Sequence, residues 1–176
     1  NEHPVEMFYR DNRLNPIHEG TTGIQSIDLL GRKILIKNGA GFKAVLSEID
    51  SSITAAKDSE RLAIFAAQLE QACMQLTSTT ELLSAAMAEK DIDLALSNSV
   101  KYLDMFGNIV IAWTWLKLGL VAEAGLANTE DDKEHDFYHG KLHAMQYFYR
   151  FELPEIYAWA ALLSDLDDTC YAMQKE

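Results

Sequence analysis

Apolar residues recur every three or four positions along most of the chain, the spacing of one buried face of an α-helix. This spacing begins after a Gly-Thr-Thr turn at residues 20–22, and it predicts a first helix. Asn38-Gly39 is the predicted C-terminal stop of that helix, since both residues adopt left-handed backbone readily. The residues expected on its apolar face are Ile24, Ile27, Leu30 and Ile34.

The same spacing predicts further helices over residues 42–53, over residues 62–87 through a Thr-rich middle, and from residue 91 to about 125. A last helix begins near Lys133, with Pro154 kinking or restarting it, because proline lacks the backbone N–H that helix interiors need. No strand-like alternation occurs. Four long amphipathic helices with short connections, after a short helical arm, predict an all-α fold: an antiparallel up-and-down four-helix bundle. Gly39 to Gly41 is interpreted as a hinge between arm and bundle.

Charge and composition exclude several classes of protein. The chain has 15 Lys and Arg against 27 Asp and Glu, a net charge of -12 that repels nucleic acid and anionic membrane surfaces. The longest apolar run, residues 109–115, is shorter than the roughly 20 residues of a membrane-spanning helix, so we expect a soluble protein without a span. Cys73 and Cys170 are far apart, which indicates no disulfide framework and favours a cytoplasmic setting. The Asn-Glu-His-Pro start is interpreted as a cut inside a longer chain.

Residues 9–30 are unusually polar for a packing element, because charged and amide side chains crowd before the Gly-Thr-Thr-Gly turn. Glu19 precedes a helix whose first free N–H groups come from about Thr22 onward, a natural place for an anion or a cofactor phosphate. The alternative is a helix cap, with Thr21 or Thr22 capping and Glu19 solvated. Spacing alone favours the cap.

Two stretches of the chain carry motifs of a known protein family. Arg10-Asp11-Asn12-Arg13, followed by Ile17 to Gln25 with the sequence IHEGTTGIQ, is similar to the closing motif of the acyl-CoA dehydrogenases, in which an Arg-Asp pair leads into a Glu-Gly-Thr loop. A later stretch is similar to the C-terminal extension of the larger members, through Phe137-Tyr138, Lys141-Leu142, Phe148-Tyr149 and Leu153-Pro154. The resemblance implies that residues 1–38 end the catalytic helical domain and that residues 39–176 form an added bundle.

The resemblance also implies a reaction. In the family the Glu of this loop removes the α-proton of an acyl-CoA thioester, and the β-hydrogen leaves as hydride to the flavin of FAD, giving a 2-enoyl-CoA as in fatty acid β-oxidation. Glu19 is then the catalytic base, and its backbone N–H is one hydrogen-bond donor to the thioester oxygen. The implied partners are an acyl-CoA substrate, an electron-transferring flavoprotein as acceptor, and further copies of the chain. The fragment alone is expected to be inactive.

The neighbouring loop residues take their roles from the same resemblance. Gly20 lies against the substrate, Thr21, Thr22 and Gly23 pass beside the FAD, and Gln25 adds a polar contact to the cofactor. His18 stands where smaller members commonly carry an aromatic residue, usually Tyr, which changes the expected shape of the pocket.

Three other features allow competing interpretations. His135, His139 and His143 are spaced for one helix face, but no complementary ligand motif accompanies them, so no metal site is predicted. The aromatic segments around residues 113–115 and 147–159 favour core packing or an interface over base stacking. The rival to the enzyme hypothesis is a non-enzymatic helical module for oligomerisation or partner docking, in which Glu19 has no catalytic role. A DNA-associated branch of the family is disfavoured by the net negative charge of the chain.

Overall fold

A computed structural model describes residues 5–15, 17, 21–89 and 91–172. Every regular element in these ranges is helical, so the predicted all-α class is confirmed. The helices are α1 (Val5–Asn12), α2 (Thr22–Asp28), α3 (Ile36–Lys57), α4 (Ala63–Ala88), α5 (Ile92–Ser97), α6 (Ser99–Asn128), α7 (Asp132–Tyr147), α8 (Glu155–Ser164) and α9 (Thr169–Ala172). Two π-helical turns, Leu29–Lys33 and Phe148–Glu152, follow α2 and α7.

A left-handed turn interrupts α3 close to its start. Lys37, Asn38 and Gly39 have φ angles of 52°, 57° and 75°, which an α-helix cannot contain. The predicted stop at Asn38-Gly39 is therefore confirmed, and the body of α3 follows it without a further break.

The predicted long helix from residue 91 is wrong, because Asn98 divides it into α5 and α6. The Asn98 side chain donates a hydrogen bond to the Asp167 backbone carbonyl at 2.8 Å, and the Ser97 hydroxyl donates to the Leu94 carbonyl at 2.7 Å. Such side-chain bonds offer the backbone an alternative to continuing the helix. The break also ties the start of α6 to the segment before α9.

The predicted interruption at Pro154 is confirmed. Pro154 occupies the N-cap position of α8, where its missing N–H costs no helical hydrogen bond. The chain therefore reaches α8 from α7 through a π-helical turn, in which Tyr149 is 2% exposed and donates a hydrogen bond to the Ala112 carbonyl at 2.9 Å.

The core lies around α4 and α6. Helix α4 contacts α3, α5, α6 and α8, and helix α6 contacts α2, α3, α4, α7 and α8. The Thr-rich middle of α4 enters this core: the Thr80 hydroxyl donates to the Leu76 carbonyl and lies 2.8 Å from the Tyr102 hydroxyl of α6. The largest fully buried side chains are Leu30, Ile49, Leu62, Leu69, Leu76, Leu83, Tyr102, Met105, Ile109, Leu116, Met145 and Tyr149.

Helix α6 is apolar over nearly its whole circumference. By length and composition it is the one helix in the described ranges that could cross a membrane, with a mean hydropathy of 1.5 over its most apolar window. Central core helices of soluble proteins have the same composition. It contacts five other helices, α2, α3, α4, α7 and α8, and 28% of that window is buried.

The first predicted apolar face is buried in its second half only. Leu30 and Ile34 are 0% and 5% exposed, whereas Ile24 and Ile27 are 62% and 49% exposed. The buried residue of α2 itself is Ser26. The side of α2 that faces the core therefore carries a hydroxyl and not an isoleucine.

Candidate functional site

The candidate site is the turn that leads into α2. Glu19, Gly20 and His18 lie outside the described residues, so the predicted base and its glycine neighbour stay predictions. The described part begins at Thr21, the N-cap residue of α2. The site can therefore be followed from this residue into the bundle.

Thr21 holds the N-cap position with an extended backbone, φ −49° and ψ 159°, but its side chain makes no capping hydrogen bond. The simple threonine cap that spacing favoured is therefore absent at this position. The first bond within the helix runs from the Gln25 N–H to the Thr21 carbonyl at 3.0 Å. The N–H groups of residues 22–24 precede it and have no partner within the helix, as in any first turn.

The predicted cofactor-binding residues share this turn. The Thr21, Thr22 and Gln25 side chains are exposed, so two hydroxyls and one amide are open to a ligand. A Cβ placed on Gly23 would meet nothing within 4 Å, which shows free space beside the backbone. This donor set, together with the first-turn N–H groups, fits a polar or phosphate-bearing edge of a cofactor such as FAD.

A buried hydrogen bond joins this turn to the bundle. Ser26 is fully buried, and its hydroxyl donates to the Gly23 carbonyl at 2.8 Å. The Ser99 hydroxyl at the start of α6, 4% exposed, lies 3.0 Å from the Ser26 hydroxyl. Because the single Ser26 proton is already donated, Ser99 must be the donor of this second bond.

Sequence reasoning missed this Ser26–Ser99 pair. The available signal was that Ser26 precedes the buried Leu30 by four positions, which puts both residues on one helix face. Nothing in the sequence pairs Ser26 with Ser99, which is 73 positions away.

An ion-pair cluster fixes the other end of α2. Asp28 pairs with Arg32 one turn later and with Lys33 at 3.3 Å. The hydrogen bond from Arg32 is the main reason that the pKa of the Asp28 carboxyl is lowered from its usual value. Beside this cluster a shallow cavity is lined by Ile24, Ile27, Asp28, Gly31, Arg32 and Leu96.

The histidine face of α7 does not assemble a metal centre. His135, His139 and His143 are exposed, and the first two rings meet edge to face with centroids 4.5 Å apart. Within residues 5–15, 17, 21–89 and 91–172 no group of three or more His, Cys, Asp or Glu side chains could hold a metal ion.

The aromatic segments divide between core and surface. Tyr149 is buried, and Trp113, Trp115, Phe148 and Trp159 pack against the core. Tyr147, Phe151 and Tyr157 remain 45% to 58% exposed. The expectation of core packing therefore holds for the first group.

Comparison with known proteins places this helical chain in a family. The family model described as "Acetyl-CoA dehydrogenase C-terminal like" matches residues 45–174, which is most of the chain. The chain belongs to the acyl-CoA dehydrogenase family. The matched region starts within α3 and includes α4 to α9, so it covers the helices that form the core around α4 and α6.

Three acyl-CoA dehydrogenase relatives are similar along almost the whole chain. They are the broad-specificity linear acyl-CoA dehydrogenase FadE5 of Mycobacterium tuberculosis (26% identical over 172 residues, 95% of this chain), the 3-methylmercaptopropionyl-CoA dehydrogenase of Ruegeria pomeroyi (32% over 168 residues, 94%) and the butyryl-CoA dehydrogenase of Syntrophomonas wolfei (29% over 176 residues, 99%). The chain spans 28% of the length of each relative.

Proposed function

We propose that this chain is the C-terminal part of an FAD-dependent acyl-CoA dehydrogenase that oxidises an acyl-CoA to the 2-enoyl-CoA. The observation that carries the proposal is the position of the Glu-Gly-Thr-Thr-Gly sequence, which leads directly into α2. The Ser26–Ser99 hydrogen bond attaches α2 to α6, and α6 belongs to the region that matches this family. The relatives' names share an acyl-CoA substrate and differ in the acyl group, so the proposed substrate is the class of acyl-CoA thioesters.

Residues 1–38 would end the catalytic helical domain, and residues 39–176 would form the added bundle. The left-handed turn at residues 37–39 supports a boundary at this point, because it separates the α2 segment from the body of α3. The proposed bundle is an antiparallel up-and-down arrangement of α3, α4, α6 and the α7–α8 unit, which the contacts of α4 and α6 with their neighbours support.

The proposed base is Glu19, which takes the α-proton of the thioester. A carboxylate suits this role because enclosure away from water raises its basicity toward that of a weak carbon acid. The Glu19 backbone N–H would donate to the thioester oxygen, on which negative charge accumulates, and Gly20 would leave room for the substrate. The short tie from Ser26 to α6 would hold this turn in place.

The cofactor-facing residues would be Thr21, Thr22, Gly23 and Gln25. When bound, FAD would be the acceptor of the β-hydrogen as hydride. The exposed hydroxyls and the amide of this turn would bind and orient the polar edge of FAD. An electron-transferring flavoprotein is the proposed electron acceptor. The full-length protein is proposed to be a homo-oligomer that acts in β-oxidation in the cytoplasm.

The exposed Ile24 and Ile27 support a larger protein around this turn. Two neighbouring isoleucines that are about half exposed favour burial against another surface. We propose that the remaining part of the dehydrogenase covers them and supplies most of the flavin and CoA contacts. The 176-residue chain alone would then neither retain FAD nor turn over substrate.

Flavin absorbance tests the proposal. The full-length protein should purify with bound flavin, and anaerobic addition of butyryl-CoA or a longer acyl-CoA should bleach the flavin band. The 176-residue chain, purified identically, should carry no flavin. A full-length protein without flavin, or one that no acyl-CoA bleaches, would contradict the proposal and favour a non-enzymatic docking module.

A further inference from the structure

A groove runs between α3 and α4 on a surface that the proposed reaction does not use. The α3–α4 groove is defined by Leu46, Ile49, Asp50 and Ile53 on α3 and by Glu70, Cys73, Met74, Thr77, Ser78 and Glu81 on α4, and it encloses a cavity of about 460 Å³. Its α4 wall extends over eleven residue steps, about 16 Å at 1.5 Å per residue.

The floor of the groove is apolar. Ile49 and Ile53 are buried, and Leu46 and Cys73 are half-buried beside them. Met74 stands at the edge with 67% of its surface exposed, an unbranched thioether that adapts its shape to different partners. This exposed methionine next to a preformed apolar floor is a surface that another apolar group would cover.

The rim of the groove is acidic. It carries the carboxylates of Asp50, Glu70 and Glu81, and among the described residues that line it none is basic. Lys57 beside its end pairs with Glu70 at 3.0 Å, which leaves Asp50 and Glu81 without a described ion pair. Burial is the main reason that the pKa of the Cys73 thiol on the floor is raised to about 12, and the Asp50 and Glu70 carboxylates raise it further.

The surface continues across α4 toward α8. A second cavity of about 450 Å³ is lined by Gln71, Met74, Gln75, Ser78 and Tyr157, so Met74 and Ser78 border both cavities. A small molecule in the first cavity would leave the outer side of Met74 in water. A longer rod-shaped partner could cover Met74 and both cavities together.

We propose that the α3–α4 groove binds an amphipathic helix of a partner protein. The apolar ridge of that helix would lie on Met74 and on the half-buried Leu46 and Cys73, and its Lys or Arg side chains would face Asp50 and Glu81. The α4 wall has the length of about three helical turns, over which an amphipathic helix can lay its residues at i, i+3, i+4 and i+7 into a groove. The acidic rim selects a basic partner by charge complementarity.

A synthetic helix tests the chemistry of the groove. The probe is a fluorescein-labelled peptide of about four turns with leucines on one face and lysines flanking them, and its fluorescence anisotropy is titrated with the 176-residue chain. Asp50→Asn with Glu81→Gln should weaken binding about five- to ten-fold, and Met74→Asn about ten-fold. A peptide with glutamates in place of the lysines should not bind.

Matched controls separate groove binding from attraction to an acidic chain. Asp136→Asn with Glu130→Gln removes two carboxylates from outside the groove, and Ile64→Asn alters an α4 apolar residue that is 61% exposed. Both control variants should keep the dissociation constant within about two-fold. Circular dichroism checks that each variant retains the native helix content.

Three results would overturn the proposal. The controls could weaken binding as much as the groove variants, which would make the attraction nonspecific. The groove variants could leave binding unchanged. Sedimentation could show a dimer of the chain that the groove variants dissociate, which would make the occupant a second copy of the chain rather than a different protein.

Discussion

The hydrogen bond between Ser26 and Ser99 gives an asymmetric prediction for alanine substitution. Ser26→Ala removes the only described acceptor of the Ser99 hydroxyl, and Ser99 is 4% exposed. A buried hydroxyl without a partner costs about 1–3 kcal/mol, so Ser26→Ala should lower the free energy of unfolding by that amount.

Ser99→Ala should cost less. Ser26 then loses one accepted bond but still donates to the Gly23 carbonyl, so the expected loss is about 0.5–1.5 kcal/mol. In the double variant neither hydroxyl remains to be stranded, and its loss should be smaller than the sum of the two single losses by at least about 0.5 kcal/mol.

Urea unfolding followed by far-UV circular dichroism measures these losses. Ser51→Ala is the control, because Ser51 is exposed on α3 and its one hydrogen bond within the described residues goes to the Ser47 carbonyl one turn earlier. Its effect should stay within about 0.5 kcal/mol. Additive losses from the two single variants, or a Ser99→Ala loss larger than that of Ser26→Ala, would refute the assignment of donor and acceptor.

Three further predictions concern packing and thiol chemistry. Gly119→Ala should destabilise the chain by about 1–3 kcal/mol in urea unfolding, because the added Cβ would lie 2.7 Å from the Met145 sulfur on α7. Gly107→Ala in the same helix is the control: its Cβ meets open space, so it should stabilise the chain by about 0.5–1 kcal/mol. Iodoacetamide near neutral pH should label the exposed Cys170 in the folded chain and Cys73 only after unfolding, as mass spectrometry would show, because the pKa of Cys73 is raised to about 12. Folding raises that pKa from 9.0, so between pH 9 and 12 the Cys73 thiol ionises in the unfolded chain before it does so in the folded one. Ionisation then favours the unfolded state, and the urea midpoint should fall as pH rises from 9 toward 12. Cys73→Ala should make this fall smaller.

The helices were predictable wherever local spacing determines them. Asn38-Gly39 and Pro154 act through their own backbone preferences, so both interruptions could be read from the sequence. The break at Asn98 depends on a bond to the Asp167 carbonyl, 69 positions away, and local periodicity carries no information about such a partner.

The family was predictable to the extent that the sequence carries its motifs, and the family match to residues 45–174 confirms it from a different part of the chain. The roles assigned to residues 19–25 stay predictions. The orientation of α2 was not predictable, because Ile24 and Ile27 satisfy the helical spacing as well as Ser26 and Leu30 do. Only the partner surface on α6 decides which set is buried.

Stopped-flow bleaching of the flavin by an acyl-CoA tests whether Glu19 is the catalytic base. The full-length protein should be compared with its Glu19→Gln variant and with Glu6→Gln, a control carboxylate that pairs with Arg10 on α1. Glu19→Gln should retain flavin and slow bleaching at least about a hundred-fold, the lower range for loss of a general base, while Glu6→Gln should bleach at the native rate. Bleaching by Glu19→Gln at the native rate would show that Glu19 does not take the α-proton.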